Sequence, residues 1–433
     1  MNKATLTGIF ILLIGMVSAQ SLLSLEEAVK VGLSNNFGIN IAKNTGRIAA
    51  NNATPGNAGI LPRIDVNAGY VRGLSDARVE VATGSELDKS NATSDLITGG
   101  IRLEWTLFDG LDMFITYDKL KKLNEIGDLN VKIEIENTLA KVIGAYYDIV
   151  RRENEVVIQQ EQVDISKFRL ELAQLRYETG SGSELEYLKA KIELNADVAG
   201  LENNQTIFLN AKTRLNELLS REINTPFAVK DTILVSYILN YDSLRAGLNK
   251  SNRHLILAGL DKEVSLLDMK SARAQQWPTL DFITTYSYYR NETEANFINY
   301  NRNFGPTVGA TATMKLFDGR NLNREYQNAR VMAETSDLKM KQLTNQLEAW
   351  LTMAYNSYSN EIEMIGFEQE NLLLARKNMD IARESYAVGS ISSLQLREIQ
   401  QDLMHANIRL ISAQFRAKLS ETELLLLSGK LLR

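Results

Sequence analysis

The sequence predicts an α+β membrane protein with an internal two-fold repeat, in which each repeat joins two strands to a long helical hairpin. The tetrapeptide Leu-Phe-Asp-Gly occurs twice, at 107–110 and at 316–319, which is 209 positions later. Before each copy the apolar residues alternate in twos, as in a strand with one apolar face. After each copy they recur at helical spacing for about sixty residues. The same strand-to-helix connection is therefore expected twice in the chain.

The composition of the 433-residue chain excludes several classes of function. Charged residues make up 23% and the net charge is −5, so no basic surface indicates a nucleic-acid partner. The chain has no cysteine, which excludes disulfides, thiolate metal sites and a lipid-modified N-terminal cysteine. The two histidines, His254 and His405, are too few for a histidine-based metal site. We therefore expect no cofactor and no bound metal.

Residues 1–19 are typical of a secretory signal peptide. Lys3 supplies the positive charge, the run from Leu6 to Val17 is apolar, and Val17-Ser18-Ala19 forms a small-residue cleavage site. A single N-terminal anchor helix is the alternative, but the apolar run is short for a membrane span. After cleavage, no stretch approaches the ~20 apolar residues of a spanning helix. Such an exported chain is soluble in the periplasm, secreted, or inserted as a β-barrel.

The first repeat is expected to occupy residues 20–226. Its predicted elements are helices at about 24–61, 111–177 and 183–220, and strands at about 63–73 and 97–107. Ser24 and Glu27 form a capping box at the start, Asn35-Asn36 interrupts the helix, and Pro62 ends it. A polar loop is expected over 74–96. Asp109 offers an N-cap oxygen to the long helix, which at 1.5 Å per residue measures roughly 100 Å.

The second repeat is expected to occupy residues 227–433. It begins within a linker at 223–241, which is expected to contain one short strand. Its predicted elements are helices at about 243–276, 321–386 and 392–427, and strands at about 280–290 and 307–317. Trp277-Pro278 repeats Leu61-Pro62 at an offset of 216, and Asn252 takes the place of Asn36. A second polar loop is expected over 290–306.

Apolar residues recur every seven positions in both return helices, which is the spacing of a coiled-coil seam. They are Leu194, Leu201, Phe208 and Leu215 in the first repeat, and Leu396, Leu403, Leu410, Ala417 and Leu424 in the second. Each long helix and its return helix are therefore predicted to form an antiparallel hairpin. The turns of the two hairpins lie at 179–183 and around Gly389.

Each strand has about ten residues, which is enough to cross a bilayer when tilted. Four strands cannot close a barrel, and open edges in lipid would leave backbone groups unpaired. We therefore expect a homotrimer whose twelve strands form a transmembrane β-barrel and whose twelve long helices form a hollow cylinder. Aromatic residues suited to interface belts are Tyr70, Trp105, Tyr286, Tyr288 and Tyr289. A soluble four-stranded sheet packed on a helical bundle is the alternative, but it explains neither the duplication nor the helix length.

These features, in this order, resemble the TolC-like outer membrane efflux protein family, the outer membrane factors of tripartite export systems. The resemblance covers essentially the whole mature chain. Its most specific marks are the hairpin turns, Arg176-Tyr177-Glu178-Thr179-Gly180 and Tyr386-Ala387-Val388-Gly389. They are similar to the family's Arg-Tyr-x-x-Gly and Tyr-x-Val-Gly turns.

The resemblance implies a trimeric 12-stranded barrel in the outer membrane of a Gram-negative-type cell. It implies that the barrel is continued by a long α-helical coiled-coil periplasmic tunnel. The hairpin turns would dock a periplasmic adaptor (membrane fusion) protein coupled to an inner-membrane pump. The residues implied in docking are Arg176, Tyr177, Gly180 and Gly389.

The resemblance also implies a periplasmic gate, because the family carries acidic rings six and nine residues beyond each turn glycine. Here those places hold Glu186 and Lys189 in the first hairpin, and Gln395 and Glu398 in the second. Three symmetric copies of Glu398 would favour cations, although Glu398 on a solvated face is the alternative. Gln395 departs from the family's acid.

Partners are expected for the gate carboxylates, because close carboxylates cost free energy when nothing compensates them. The candidates are Lys189, Arg176 and Arg397, with Tyr386 as a hydroxyl donor.

No catalytic motif is present in the sequence. It contains no Gly-x-Ser-x-Gly, no phosphate-binding Gly-x4-Gly-Lys-Ser/Thr and no His-Glu-x-x-His, so we expect no enzyme activity. The leading prediction is a passive exit duct of a tripartite efflux or type I secretion system. The alternative is a periplasmic structural or tethering coiled-coil protein without channel activity. A membrane-fusion adaptor is less suitable, because it carries one hairpin and a compact all-β domain.

Overall fold

The computed structural model describes residues 22–230, 232–236 and 239–432, so the predicted signal peptide lies outside the described residues. The chain divides into two compact units. The first draws on Met1–Ile39, Ile135–Arg245 and Leu351–Arg433, and the second on Asn40–Glu134 and Ala246–Trp350. Each unit contains residues from both predicted repeats, so the units do not correspond to the repeats.

The described chain contains eight helices and four strands. The helices are α1 (Leu25–Asn35), α2 (Phe37–Asn52), α3 (Asp112–Glu178), α4 (Glu184–Leu218), α5 (Tyr241–Ser251), α6 (Arg253–Ala274), α7 (Asn321–Ala387) and α8 (Ser393–Leu427). The strands are β1 (Arg63–Glu80), β2 (Glu86–Phe108), β3 (Thr279–Thr293) and β4 (Tyr300–Thr313). In the part of the chain described, no helix combines the length and the apolarity that a membrane crossing requires.

Local capping divides the helices that precede β1 and β3. Ser24 and Glu27 form the predicted capping box of α1, with both hydrogen bonds at 3.1–3.2 Å. The predicted helix 24–61 is wrong at its end, because α2 stops at Asn52. Pro55 follows closely, and a proline disfavours helical backbone in the residue before it. The predicted helix 243–276 is likewise two helices, because the Asn252 side chain caps a new start at α6.

The two Leu-Phe-Asp-Gly segments place an aspartate at the start of each long helix. Asp109 accepts a hydrogen bond from the Met113 amide at 2.8 Å, and Asp318 accepts one from the Leu322 amide at 2.9 Å. The following glycines, Gly110 and Gly319, have φ of +75° and +73°, a left-handed conformation that favours glycine. At Gly110 space also requires glycine, because a Cβ would lie 2.3 Å from the carbonyl oxygen of Ala274.

The four strands form one antiparallel sheet in the order β1-β2-β3-β4, which leaves β1 and β4 as its edges in the described chain. The predicted polar loops over 74–96 and 290–306 are wrong, because both regions are mostly strand. The β1–β2 ladder runs to Glu80 opposite Glu86, and the β3–β4 ladder to Glu292 opposite Tyr300. Backbone pairing does not need an apolar face, so polar residues extend the hairpins where side-chain alternation fails as a signal.

The two copies of Leu-Phe-Asp-Gly differ in their relation to the sheet. Phe108 still pairs with Leu280 after an irregularity in the β2–β3 ladder. β4 ends at Thr313, opposite Thr279, where β3 begins, so the strand predicted over 307–317 begins and ends too late in the sequence. Leu316 and Phe317 follow this end and are 88% and 83% exposed.

The register gives the sheet two chemically different faces, because directly opposed residues lie on the same side. One row of the first face consists of Val66, Ile101, Tyr286 and Pro306, and the two neighbouring rows are apolar except for Thr284. One row of the second face consists of Asp65, Arg102, Thr285 and Thr307. Four of the five predicted belt aromatics lie on the apolar face: Tyr70, Trp105, Tyr286 and Tyr288. Tyr289 lies on the polar face.

The core of the first unit joins helices α1, α3 and α4 to the linker after α4. Leu215, Leu219 and Phe227 are fully buried together with Tyr146 and Ile149 of α3. In the described part of the linker, the predicted short strand is reduced to one parallel bridge between Ala228 and Leu22. The residues of the predicted seams that are buried are Leu201, Leu215, Leu396, Leu403, Ala417 and Leu424.

Candidate functional site

The first hairpin turn, between α3 and α4, is closed by backbone bonds to a single carbonyl. The amides of Ser181 and Gly182 both donate to the carbonyl oxygen of Arg176 at 2.8 Å. Gly180 has φ of +73°, with nothing within 4 Å of the place where a Cβ would lie. Ser183 then caps α4 by accepting a hydrogen bond from the Glu186 amide at 3.2 Å. The turn is therefore fixed by its backbone, and its outer side is open.

The second turn, between α7 and α8, repeats this geometry. Gly389 has φ of +80°, and the Ser390 amide donates to the carbonyl oxygen of Ser385 at 2.9 Å. Ser392 caps α8, and here the capping box is complete, because the Gln395 side chain accepts from the Ser392 amide at 2.9 Å. The predicted gate residue Gln395 is thus bound to the start of its own helix.

Arg176, Glu186 and Tyr386 form one cluster that joins the two hairpins. The Arg176 guanidinium donates to the carbonyl oxygen of Tyr386 and lies 4.6 Å from the centre of its ring. The Tyr386 hydroxyl donates to Glu186 at 3.3 Å, and Arg176 lies 4.0 Å from the same carboxylate. Tyr386 is fully buried, and burial raises the pKa of its phenol, so the hydroxyl remains a donor.

The other predicted site residues lie outside this cluster. Lys189 and Glu398 are exposed and make no ion pair with another described residue. Tyr177 is 42% exposed and stacks on Tyr187 of α4, with ring centres 5.8 Å apart and the planes 3° from parallel. Of the expected carboxylate partners, Arg176 and Tyr386 bind Glu186 in the structure, whereas Lys189 does not.

Apolar side chains are exposed at both turns. Leu185 in the first turn of α4 is 76% exposed, and Val388 beside Gly389 is 82% exposed. Leu394 in the first turn of α8 is 54% exposed. Exposed apolar groups together with rigid backbone turns are typical of a surface that contacts a partner.

Behind the turns lies a polar layer that the sequence did not predict. We define it as Ser166 and Arg169 of α3, Glu193 and Asp197 of α4, and Arg397 and Gln400 of α8. Arg397 binds Asp197 through both terminal nitrogens, at 2.6 and 3.0 Å, and this bond raises the pKa of Arg397. The expected pairing of Arg397 with a gate carboxylate is therefore wrong.

The remaining members of the polar layer complete the contact among the three helices. Arg169, 1% exposed, binds Glu193, and it donates to Gln400 at 3.2 Å. The Gln400 amide donates to Ser166 at 3.0 Å, and Ser166 donates to Asp197. These charged side chains are buried where the three helices pack together. Removing one partner would therefore leave an uncompensated buried charge. One sequence signal was available, because Asp197 follows Leu194 by three residues and so occupies a core position of the heptad.

The chain offers no site for a metal ion in the part that the structure describes, where no group of three or more histidine or acidic side chains is suitably placed. The chemistry of the cluster and the polar layer consists of hydrogen bonds, ion pairs and packing.

Two segments of the chain, residues 33–221 and 248–430, match the family described as outer membrane efflux protein. The fold is similar to that of the CmeC outer membrane channel of Campylobacter jejuni, with a TM-score of 0.80, 14% identity, and coverage of 94% of this chain and 86% of that one. It is similar to the outer membrane protein VceC of Vibrio cholerae, with a TM-score of 0.77, 15% identity, and coverage of 94% and 96%.

A third solved structure with this fold is the open state of the MtrE outer membrane channel of Neisseria gonorrhoeae. Its TM-score is 0.71, its identity 14%, and the coverage 94% of this chain and 89% of that one. No curated protein sequence matches the chain.

Proposed function

The chain belongs to the outer membrane efflux protein family, and from this premise we propose that it is the exit duct of a tripartite efflux or type I secretion system. It works as a homotrimer in the outer membrane and conducts substrates passively to the exterior. A periplasmic adaptor and an inner-membrane pump deliver the substrates and supply the energy.

The observation that carries this proposal is the four-stranded sheet with one apolar face, one polar face and two unpaired edges. On β3 the apolar rows run from Leu280 to Tyr288, about 27 Å along the strand at ~3.4 Å per residue. At a tilt near 40° this is about 21 Å along the membrane normal, close to the ~25 Å apolar band of outer-membrane barrels. Three copies joined at their edges leave no unpaired strand, with apolar residues toward lipid and polar residues toward the lumen.

The test is to purify the protein from the outer-membrane fraction in detergent and to record single channels in planar bilayers. A detergent-dependent trimer with a conducting pore is expected. A monomer that is soluble without detergent and retains its β-structure would contradict the duct and favour a periplasmic tether.

We assign adaptor docking to the two hairpin turns. The support is their matched left-handed glycines, the open surroundings of Gly180 and the exposed apolar groups beside both turns. At Gly389 a Cβ would lie 3.8 Å from the Arg176 guanidinium. The variants Gly180→Val and Gly389→Val should abolish export and leave the trimer and its membrane level unchanged. Gly84→Val is the matched control for Gly180→Val, because Gly84 in the β1–β2 hairpin has φ of +84° and, like Gly180, nothing within 4 Å of a new Cβ. Docking at the turns would be refuted by export that survives both turn substitutions.

We assign the closed state of the periplasmic end to the cluster of Arg176, Glu186 and Tyr386, with Glu398 as the exposed charge beyond it. The side chains of Arg176 and Glu186 are only 20% and 30% exposed, so this pair is less screened than a surface ion pair. A contact controls a gate only if it differs between the closed and open states. We assign Gln395 to capping α8 and not to the gate.

Single-channel recordings test the gate. The double variant Tyr386→Phe with Glu186→Ala should raise the resting conductance, because it removes the hydrogen bond that joins Tyr386 of the second hairpin to Glu186 of the first. Glu398→Ala should reduce cation selectivity or block by divalent cations. Glu184→Gln, on the exposed first turn of α4, is the control. If conductance and selectivity stay at the wild-type level in all variants, the gate is not in these residues.

A further inference from the structure

The apolar face of the sheet ends in arginines on the side of its hairpin loops. Arg290 lies two residues beyond Tyr288 on β3, and Arg302 lies directly opposite it on β4. The next row contains Arg72 of β1 and Glu292 of β3. All of these side chains are on the face that carries the apolar rows.

Carboxylates compensate only part of this positive charge. Arg72 lies 3.7 Å from Asp95, and Arg290 binds Glu292. Arg302 has no carboxylate within ion-pair distance in the described chain. Like charges directly opposite each other on neighbouring strands are destabilising. In the described chain, no carboxylate at Arg302 therefore offsets the repulsion within the arginine pair, Arg290 and Arg302.

The two guanidinium groups of the arginine pair turn in opposite directions. Arg290 lies 5.7 Å from the ring centre of Tyr300, toward the hairpin loop. Arg302 lies 5.8 Å from the ring centre of Phe304, toward the apolar rows. Arg302 thus brings an unpaired cation to the level of Tyr288 and Phe304, where the neighbouring surface is apolar. An anion at this level would reduce the repulsion between the two arginines and would neutralise the charge of Arg302.

We propose that the arginine pair binds the phosphate groups of a phosphorylated glycolipid of the lipid A type. This rests on the proposed function, because it requires the apolar face to lie against lipid. The pair lies at the strand ends remote from Asp109 and Asp318, where the long helices begin, and so in the outer leaflet. Guanidinium groups bind phosphate through paired N–H donors. Because the two guanidinium groups turn apart, each can contact a different phosphate of the same glycolipid.

Native mass spectrometry of the detergent-solubilised trimer tests this proposal. Purified lipid A is added, and the fraction of trimers that retain one to three molecules is measured. The double variant Arg290→Gln with Arg302→Gln should weaken binding at least tenfold. Arg102→Gln is the matched control, because Arg102 lies on the polar face of β2 and should bind lipid A as the wild type does.

Two further ligands separate phosphate recognition from nonspecific adhesion. Dephosphorylated lipid A should bind the wild type at least tenfold more weakly, as should phosphatidylglycerol, which carries phosphate without the sugar. Equal binding of dephosphorylated lipid A, or of phosphatidylglycerol, would overturn the proposal, as would wild-type affinity in the double variant. Channel recordings are made on the same preparations. A conducting trimer without lipid A binding refutes only the glycolipid site, whereas a protein that forms no trimeric channel refutes the duct itself.

Discussion

The polar layer predicts a strong asymmetry between breaking and replacing one ion pair. Asp197 is 8% exposed and accepts hydrogen bonds from Arg397 and Ser166. Asp197→Leu leaves the Arg397 guanidinium inside the helical packing without its carboxylate. Arg397→Met leaves the carboxylate with the Ser166 hydroxyl alone. The double variant leaves no charge from this pair. Leucine has about the length of aspartate, and methionine keeps the aliphatic part of the arginine side chain.

The expected magnitudes follow from burial. Removing one partner of a buried ion pair costs about 3–5 kcal/mol, whereas replacing both by apolar residues is often neutral or stabilising. The Arg397 side chain is 17% exposed, so we expect about 3 kcal/mol for each single variant. In a cooperative unit of about 200 residues, this corresponds to a fall in the unfolding temperature of about 6–12 °C. The double variant should lie within about 3 °C of the wild type, since its loss should stay below about 1 kcal/mol.

The assay is the thermal loss of helical circular dichroism of the trimer in detergent, at one fixed scan rate because unfolding of such proteins is often irreversible. The pair Arg330–Glu334 is the control, since both side chains are at least 60% exposed and its disruption should cost less than about 1 kcal/mol. Single variants whose unfolding temperature shifts no further than that of this control would refute a buried, coupled ion pair. Effects of the two single variants that simply add in the double variant would refute it as well.

Three further predictions concern local geometry and charge. Gly110→Ala should sharply lower the yield of folded protein, because a backbone oxygen lies 2.3 Å from the position of the new Cβ. Gly319→Ala has no such clash and should cost only the ~1–2 kcal/mol of a left-handed non-glycine residue. Yield and unfolding temperature measured side by side check this difference, and equal effects would contradict it. Hydrogen bonds from two lysines lower the pKa of Asp337 to about 2. The stabilisation that the Asp337 carboxylate gives the folded chain is therefore complete above pH ~3.8 and is lost as the pH falls toward 2. The difference in unfolding temperature between the wild type and Asp337→Asn should therefore shrink over that range. The corresponding difference for Glu334→Gln serves as the exposed comparison. A difference for Asp337→Asn that stays constant would contradict the role of the two lysine partners. Ser392→Ala removes a complete capping box and should lower the stability of the start of α8 by about 1 kcal/mol. Amide hydrogen exchange in the first turn of α8 should then be faster. Unaltered exchange would show that the cap is dispensable.

The long helices could be predicted from the sequence because their signals are local. The apolar spacing of α3 and α7 continues without proline, and the glycines and serines at their turns are the residues that turns and caps require. The extent of the β-hairpins could not be predicted in this way. Where both faces of a strand are polar, as from Arg290 to Thr293, side-chain alternation disappears while backbone pairing continues.

The turns of the candidate site could be predicted from the repeat spacing and the family resemblance, which single out Gly180, Gly389 and Tyr386. Two of its contacts, those of Arg176 and Tyr386 with Glu186, also agree with the prediction. The role of Gln395 depends on which way its side chain turns, and spacing carries no such information. The polar layer depends on three helices that are distant in sequence, so Arg397 and Asp197 meet only in the folded chain.

The unequal caps of α4 and α8 have a consequence for symmetry. Positions 186 and 395 are equivalent under the internal duplication, and a trimer of duplicated hairpins approximates a six-fold ring at this level. Gln395 is engaged by Ser392, and only Glu186 carries a charge toward the opposite hairpin. In the proposed trimer this ring would alternate between a neutral and an anionic position, so its electrostatic symmetry would be three-fold. The two equivalent positions therefore have different roles. Gln395 caps its own helix, whereas Glu186 binds the other hairpin.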